Sequence, residues 1–326
     1  MAVAHSASGE GEIRPLGTLL AVSNVEQVVE ATRKRLGAVG VWSGTLRAAA
    51  VADEPAAIRR IEELGYGSVW TGEGIGGKDA FAHAAMALAS SSRIIFGTGI
   101  ANVWARHPAT MEGGAATLAA AWPGRFVLGV GASHATMVER SGQVYGNPVA
   151  HMAQYLAEMD DAVVDSPDTP VPFARVLAAL RPRMLELARE HAHGAHPYFV
   201  PPSHTPMARK ILGADRLLIP EQAIALITDP GEARRVARKH MALYLTLPNY
   251  LNSLRHLGFD DEDLSGAGSD RLVDAIVAWG DEQSIVDRIV ELRSTGADHV
   301  VVQPLADDLP GVLAQLERLA PALASL

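Results

Sequence analysis

The sequence predicts an α/β protein built on a parallel sheet, and a (β/α)8 TIM barrel with insertions is the form it favours. Three observations carry that expectation. Eight short runs rich in β-branched and aromatic residues recur along the 326 residues. Amphipathic helical stretches separate nearly all of them, as parallel strands require. Eight is also the strand number that closes a barrel, and no linker or shift in composition divides the chain. An open doubly wound sheet is the competing arrangement.

The elements follow in order. "AVGVWSG" (38–44) reads as a strand, and "EPAAIRRIEEL" (54–64) as a helix with Ile58, Ile61 and Leu64 on one face. "GSVWTG" (67–72) is the second strand. The helix over 79–90 follows it, with Asp79 as N-cap. "RIIFGTGIANV" (93–103) is the third strand, and Pro108 opens a helix that runs to Ala121. "RFVLGVGAS" (125–133) is the fourth, followed by a helix through "VAHMAQYLAEMDDAV". The second half continues with strands in "RVLAAL" (175–180), "HPYFV" (196–200) and "RLLIPEQAIALI" (216–227). A long helical tract covers 230–257, an Asp/Gly-rich loop spans 258–270, and two more helices lead to the strand "DHVVVQPL" (298–305). Residues 1–35 read as an N-terminal extension, flexible over 1–15, and 36–326 as one domain.

A formal charge of −9 argues against nucleic acid or an anionic membrane as the main partner, so a small-molecule substrate is expected. There is no cysteine, which removes disulfides, thiol catalysis and thiolate metal sites, and fits a cytoplasmic protein. No apolar run reaches the ~18 residues that span a bilayer. The first residues lack a basic region and carry Glu10 and Glu12, a poor signal peptide.

The stretch "VWTGEGIGGKDAF" (69–81) fits two nucleotide motifs at once. Gly72, Gly74 and Gly77 match G-x-G-x-x-G, while Gly72, Gly77 and Lys78 match a phosphate loop. Neither motif is complete. No acidic residue stands where a ribose would be held, and Asp79 replaces the hydroxyl that would meet magnesium. The loop is better read as the rim of a barrel mouth, its glycines placing Glu73 at the end of the second strand. A plain surface loop is the simpler alternative. His191, His193 and His196 cluster in sequence but lack a partner carboxylate, so no metal site is expected there. His107, just before Pro108, reads as a helix-positioning residue.

"LGYGSVWTGEG", "RIIFGTGIANVWARHPATM", "PGRFVLGVGASH" and "GAHPYFVPPSHTPMARKILG", in that order, resemble the luciferase-like monooxygenase superfamily, in particular its branch that uses the deazaflavin coenzyme F420. The resemblance implies a luciferase-like (β/α)8 barrel, commonly a homodimer, with the flavin-type ring at the C-terminal ends of the strands. It implies a bulge with a non-prolyl cis peptide at Gly99–Ile100 that props up the ring. The same resemblance assigns cofactor contacts to Gly99, Ile100, Ala101 and Asn102, to Gly131, Ala132 and Ser133, and to Ser203, His204, Thr205 and Arg209 as a phosphate site. The plainer readings are an ordinary β-bulge and an N-capped helix. The Asp-His pair of the family's sugar-phosphate dehydrogenases is Glu73-Gly74 here, and their fourth-strand Glu is His134. Glu73 and His134 are therefore the titratable groups expected at the mouth, as proton-transfer residues or equally as cofactor or structural ligands. Trp42, Trp70 and Trp104, near the ends of the first three strands, would line a substrate pocket.

The activity implied is hydride transfer between F420 and a carbonyl, alcohol or activated double bond. The alternatives are a monooxygenase using reduced FMN and a non-catalytic flavin-binding barrel. F420's anionic tail would favour a basic rim, for which Arg106, Arg140, Arg209 and Lys210 are candidates.

Overall fold

The computed structural model describes residues 22–162, 169, 171–324 and 326. Eleven strands form one parallel sheet that closes into a (β/α)8 barrel. They are β1 (Val39–Trp42), β2 (Ser68–Thr71), β3 (Ile95–Thr98), β4 (Ala101–Asn102), β5 (Phe126–Gly131), β6 (Ala174–Leu177), β7 (Gly194–Ala195), β8 (Leu217–Leu218), β9 (Glu221–Ala225), β10 (Val277–Trp279) and β11 (Val300–Pro304). Closure depends on one interrupted strand. β8 pairs with β7, while β9 leaves that neighbour and pairs with β11, which pairs with β1. Only Ile219 and Pro220 separate the two halves, and Pro220 has no N–H for the ladder.

Several expectations shift by a few residues for stated reasons. "HPYFV" is not itself a strand, because the ladder residues are Gly194 and Ala195. Pro197 lacks an N–H, and Phe199 turns into the left-handed region at φ 56°. The segment expected as two helices after residue 270 contains β10, which pairs with β9. The helical tract 230–257 divides into Pro230–Met241, a 3-10 turn Tyr244–Thr246 and Pro248–His256. Pro248 starts a new helix because it cannot continue the old one. The 258–270 segment is folded on itself. Asp260 and Ser269 cap short helices, and Asp263 bonds Ser269 and pairs with Arg271.

Inside the barrel, alternate strand residues make a packed core. Trp42, Trp70, Ile95, Val127, Val176, Leu217 and Val301 share one cluster with Val25, Val28, Val29 and Leu36. The latter four belong to the helix Val22–Leu36, so the end of the expected N-terminal extension is part of the barrel core. Their spacing puts one apolar stripe on the N-terminal opening, where Arg33 also bonds Asp298 at 2.8 Å. The helix therefore closes the bottom and leaves the C-terminal mouth for chemistry. Among the described residues no helix is long and apolar enough to cross a membrane.

Candidate functional site

The mouth is organised around the bulge that separates β3 from β4. The Gly99–Ile100 peptide bond is cis. Thr98 bridges the interruption, its hydroxyl donating to Gly129 O at 2.7 Å and accepting from Gly129 N at 2.8 Å. Trp42 Nε1 donates to Gly99 O at 3.1 Å from below. A Cβ on Gly99 would come within 2.6 Å of that nitrogen, so only glycine allows the approach. Gly131 is constrained in the same way, since a Cβ there would lie 2.7 Å from the Ile100 side chain. The bulge is a built platform.

Glu73 fixes the platform from the side. One carboxylate oxygen accepts the Asn102 N–H at 2.8 Å and the other the Ala80 N–H at 3.1 Å. Both also meet the Arg106 guanidinium, which reaches Asp79 at 2.8 Å as well. Burial opposes the Arg106 charge, but the bonds to Glu73 and Asp79 outweigh it and raise its pKa. With its side chain only 3% exposed and both oxygens engaged, Glu73 braces the bulge. This corrects its expected proton-transfer role, and it removes Arg106 from the basic rim.

The glycine-rich loop is thereby explained. Asp79 caps the helix Ala80–Ala89 through the N–H groups of Phe81 and Ala82. Lys78 donates to Leu46 O at 2.8 Å and Ala49 O at 2.7 Å and pairs with Glu54. A lysine with all three donors committed inside the protein cannot serve as a phosphate-loop cation.

His134 keeps its chemistry. It follows β5, and its Nδ1 lies 3.1 Å from Asn249 Oδ1. Asn Oδ1 only accepts, so Nδ1 carries the proton and Nε2 presents a lone pair. Burial lowers the His134 pKa, while the Asn249 bond opposes the shift. The imidazole is thus neutral at pH 7 and suited to accept a proton. Its ring is 5.5 Å from that of Tyr250. Beside it, Ser133 is held at φ 56°, one of two non-glycine residues among the described ones in the left-handed region, with Phe199 the other. Both lie at strand ends on the mouth, where such backbone tends to serve a site.

The remaining expected residues separate into two groups. Trp104 stands half-buried at the rim, donating to Ala132 O at 2.9 Å and stacked on His151 at 4.0 Å. Asn102 accepts the Trp104 N–H at 3.0 Å, and its Nδ2 has no partner among the described residues. Ala101 and Asn102 pair with Val130 and Gly131 along β5. Trp42, 7% exposed, belongs to the floor beneath the bulge. Trp70 is fully buried and stacks on His196 at 5.0 Å, so it is core packing and not a pocket wall.

The phosphate site needs correction as well. Helices that return from the mouth carry their last turns to the opposite face of the barrel. Arg209, in the last turn of the helix His204–Leu212, donates to Gly296 O, Gly213 O and Arg216 O and pairs with Asp298, all away from the mouth. His204 and Thr205 are fully buried, and their N–H groups are taken by Pro201 O and Pro202 O. Ser203 alone of that set is exposed.

Three features escaped the sequence reading. First, the helix Pro182–His191 follows β6 with no side-chain cap. Among the described residues the N–H groups of Ala179, Leu180, Arg181 and Arg183 have no partner, and neither arginine forms an ion pair. Second, the N–H groups of Ala132, Ser133 and His134 are likewise open. Third, Glu221 lies fully buried, with Oε2 accepting the Phe199 N–H at 3.1 Å and Oε1 without a partner. Burial raises its pKa to about 8, so it is protonated at neutral pH. The alternation "EQAIA" puts Glu221 on the face of Ala223 and Ala225, a signal the sequence did hold.

Two clefts on the outer layer, of about 320 and 270 Å³, are lined by residues such as Asp287 and Met86 and do not open at the mouth. The mouth is distinguished by its chemistry and backbone geometry.

Fold and site together define a parallel-barrel protein whose strand ends carry a bulged platform, open amides and a neutral imidazole. The chain belongs to the luciferase-like monooxygenase family, whose model matches residues 36–299. Solved structures of like fold include an F420-dependent secondary alcohol dehydrogenase in complex with an F420–acetone adduct, at 15% identity and TM-score 0.70, covering 87% of this chain and 98% of that one. The coenzyme F420-dependent tetrahydromethanopterin reductase of Methanopyrus kandleri matches at 17% identity and TM-score 0.70, over 87% and 99%. The oxygenating constituent of 3,6-diketocamphane monooxygenase from Pseudomonas putida, in complex with FMN, matches at 14% and 0.66, over 88% and 97%.

Proposed function

We propose that this protein is an oxidoreductase that transfers a hydride between coenzyme F420 and a small organic substrate bearing a carbonyl, alcohol or activated double bond. The observation that carries the reading is the platform itself: a bulge braced by Trp42 and Glu73, next to open amides and a neutral histidine. The residues present fit a flat, hydrogen-bonding ring with an anionic tail. Ile100 and Gly131 shape its seat, and Asn102 Nδ2 is free to meet a polar ring edge. The Ala132–His134 amides run along one side. The tail would leave toward the uncapped helix at Arg181 and Arg183, where amides and helix dipole favour an anion.

When bound, the deazaflavin would supply a carbon that gives or takes a hydride. The protein's part is to hold substrate over the bulge, exclude water and move one proton. His134 Nε2 is the atom proposed for the proton. Replacing His134 by Asn should lower kcat by about 100-fold or more, with F420 affinity changed no more than about twofold. A variant with unaltered kcat would remove the assignment.

An FMN-dependent monooxygenase is the second reading, favoured by the family's description and by the FMN-bound neighbour. Titrating the purified protein with F420 and, separately, FMN while following ring fluorescence separates the two. Saturable binding of F420 with FMN at least tenfold weaker is the expected result. The opposite preference would move the assignment to the monooxygenase.

A further inference from the structure

The mouth carries a polar chain that neither the bulge nor His134 requires. Tyr198 Oη lies 2.8 Å from Tyr244 Oη and donates to Gln303 Oε1 at 2.9 Å. The Tyr198 ring packs at a tilt, 5.0 Å between centroids, against Trp42, the residue that donates to Gly99 O, so the chain adjoins the platform. Tyr244 and His134 both face Tyr250, with ring centroids 5.3 and 5.5 Å from it. His134 and Tyr244 thus pack against the same aromatic ring.

We propose that Tyr244, Tyr198 and Gln303 form a reversible hydrogen-bond chain that binds the oxygen of a neutral alcohol or its ketone, with Tyr244 making the contact. This rests on the hydride-transfer reading above. Each phenol has one proton to give, so the direction of the chain is set at its far end. With Gln303 accepting, Tyr198 donates to it, Tyr244 donates to Tyr198, and the Tyr244 oxygen is left to accept an alcohol O–H. Turning the amide end for end reverses every bond. Nε2 then donates to Tyr198, Tyr198 to Tyr244, and the Tyr244 proton points outward to a carbonyl oxygen. The Gln303 Nε2 has no partner among the described residues, so the turn breaks no other bond there.

Oxidising an alcohol to a ketone removes a hydride from carbon and a proton from oxygen. The oxygen changes from donor to acceptor, and the chain follows by changing direction without gaining or losing a proton. For the reaction the substrate O–H turns from Tyr244 to His134 Nε2, which takes the proton, and the hydride goes to the oxidised F420 of the reading above. The surroundings select a neutral ligand. Burial pushes the Tyr198 phenol well above its ordinary pKa and also raises Tyr244, and no Lys or Arg among the described residues hydrogen-bonds the chain. The field of Arg47 reaches Tyr244 without such a bond.

The test uses cyclohexanol, cyclohexanone and methylcyclohexane, titrated by tryptophan fluorescence into the F420-loaded and the cofactor-free protein. Both oxygenated probes should bind about tenfold more tightly than the hydrocarbon, the size expected for one good hydrogen bond. Tyr244→Phe should abolish the advantage of both. At a pH high enough to ionise it, the carboxylate of Gln303→Glu can only accept, which locks the chain in one direction. It should keep the advantage for cyclohexanol and lose it for cyclohexanone. Should Gln303→Glu not fold, Tyr244→Phe decides alone. Equal affinity for all three probes, no binding of any, or an advantage that survives Tyr244→Phe overturns the proposal. Failure of F420 to bind, with the oxygen advantage intact in the cofactor-free protein, would instead sink the hydride-transfer reading.

Discussion

Replacing Glu73 by alanine is expected to lower the free energy of unfolding by about 3–5 kcal/mol, measured by urea denaturation. The size follows from what is stranded. Arg106 is 8% exposed at its side chain and would keep a buried charge with only Asp79, itself 56% exposed, as an ionic partner. The Asn102 and Ala80 N–H groups would lose their acceptor at the same time. Glu73→Gln retains acceptors and should cost less than the alanine variant. F420 binding should weaken in Glu73→Ala, because Asn102 sits on the platform the carboxylate holds. A loss of less than about 1 kcal/mol would show that the ion pair is not the brace described.

The second large effect is a pH dependence of stability carried by Glu221. Its ordinary pKa of 4.5 is raised to about 8 by burial, the Phe199 N–H opposing. Below about pH 4.5 the folded and unfolded states both hold the proton, and the group's full stabilising share is present. Between 4.5 and 8 the unfolded chain releases the proton while the folded protein keeps it. Stability therefore falls as pH rises, by up to about 1.4 kcal/mol per unit and on the order of 5 kcal/mol in all. Glu221→Gln keeps the shape and cannot ionise. Its stability relative to the wild type should grow from pH 5 to about pH 8 and then level off. Parallel curves for the two proteins across that range would contradict a buried neutral carboxyl.

The site was unevenly legible. The family resemblance placed the bulge at Gly99, and the strand pattern placed His134 just past the fourth expected strand. Local grammar rejected Lys78 as a phosphate ligand, although the reason lay elsewhere: the lysine is spent on Leu46, Ala49 and Glu54. Glu73 was found, but its meaning was not. A carboxylate at a strand end is read as an acid until its partner is known, and Arg106 lies in the next βα unit. Arg209 failed for a geometric reason, because a basic residue near a helix start in sequence can still fall in the last turn and face the other end of the barrel. Tyr198 lay hidden in a run that resembled a strand, and Tyr244 in a tract that resembled one long helix.

What the sequence determined by itself is the alternation of strands and helices through the first half, their parallel arrangement and the residues that follow the first four expected strands. These depend on local periodicity, on prolines that lack an N–H and on caps such as Asp79, all of which act within a few residues. Tertiary structure alone decided which polar side chains are free. Arg106 is consumed by a partner 33 residues earlier, whereas Arg181 has none among the described residues. Whether a side chain is chemistry or scaffold depends on which distant groups satisfy it, and closure of the barrel brings those groups together.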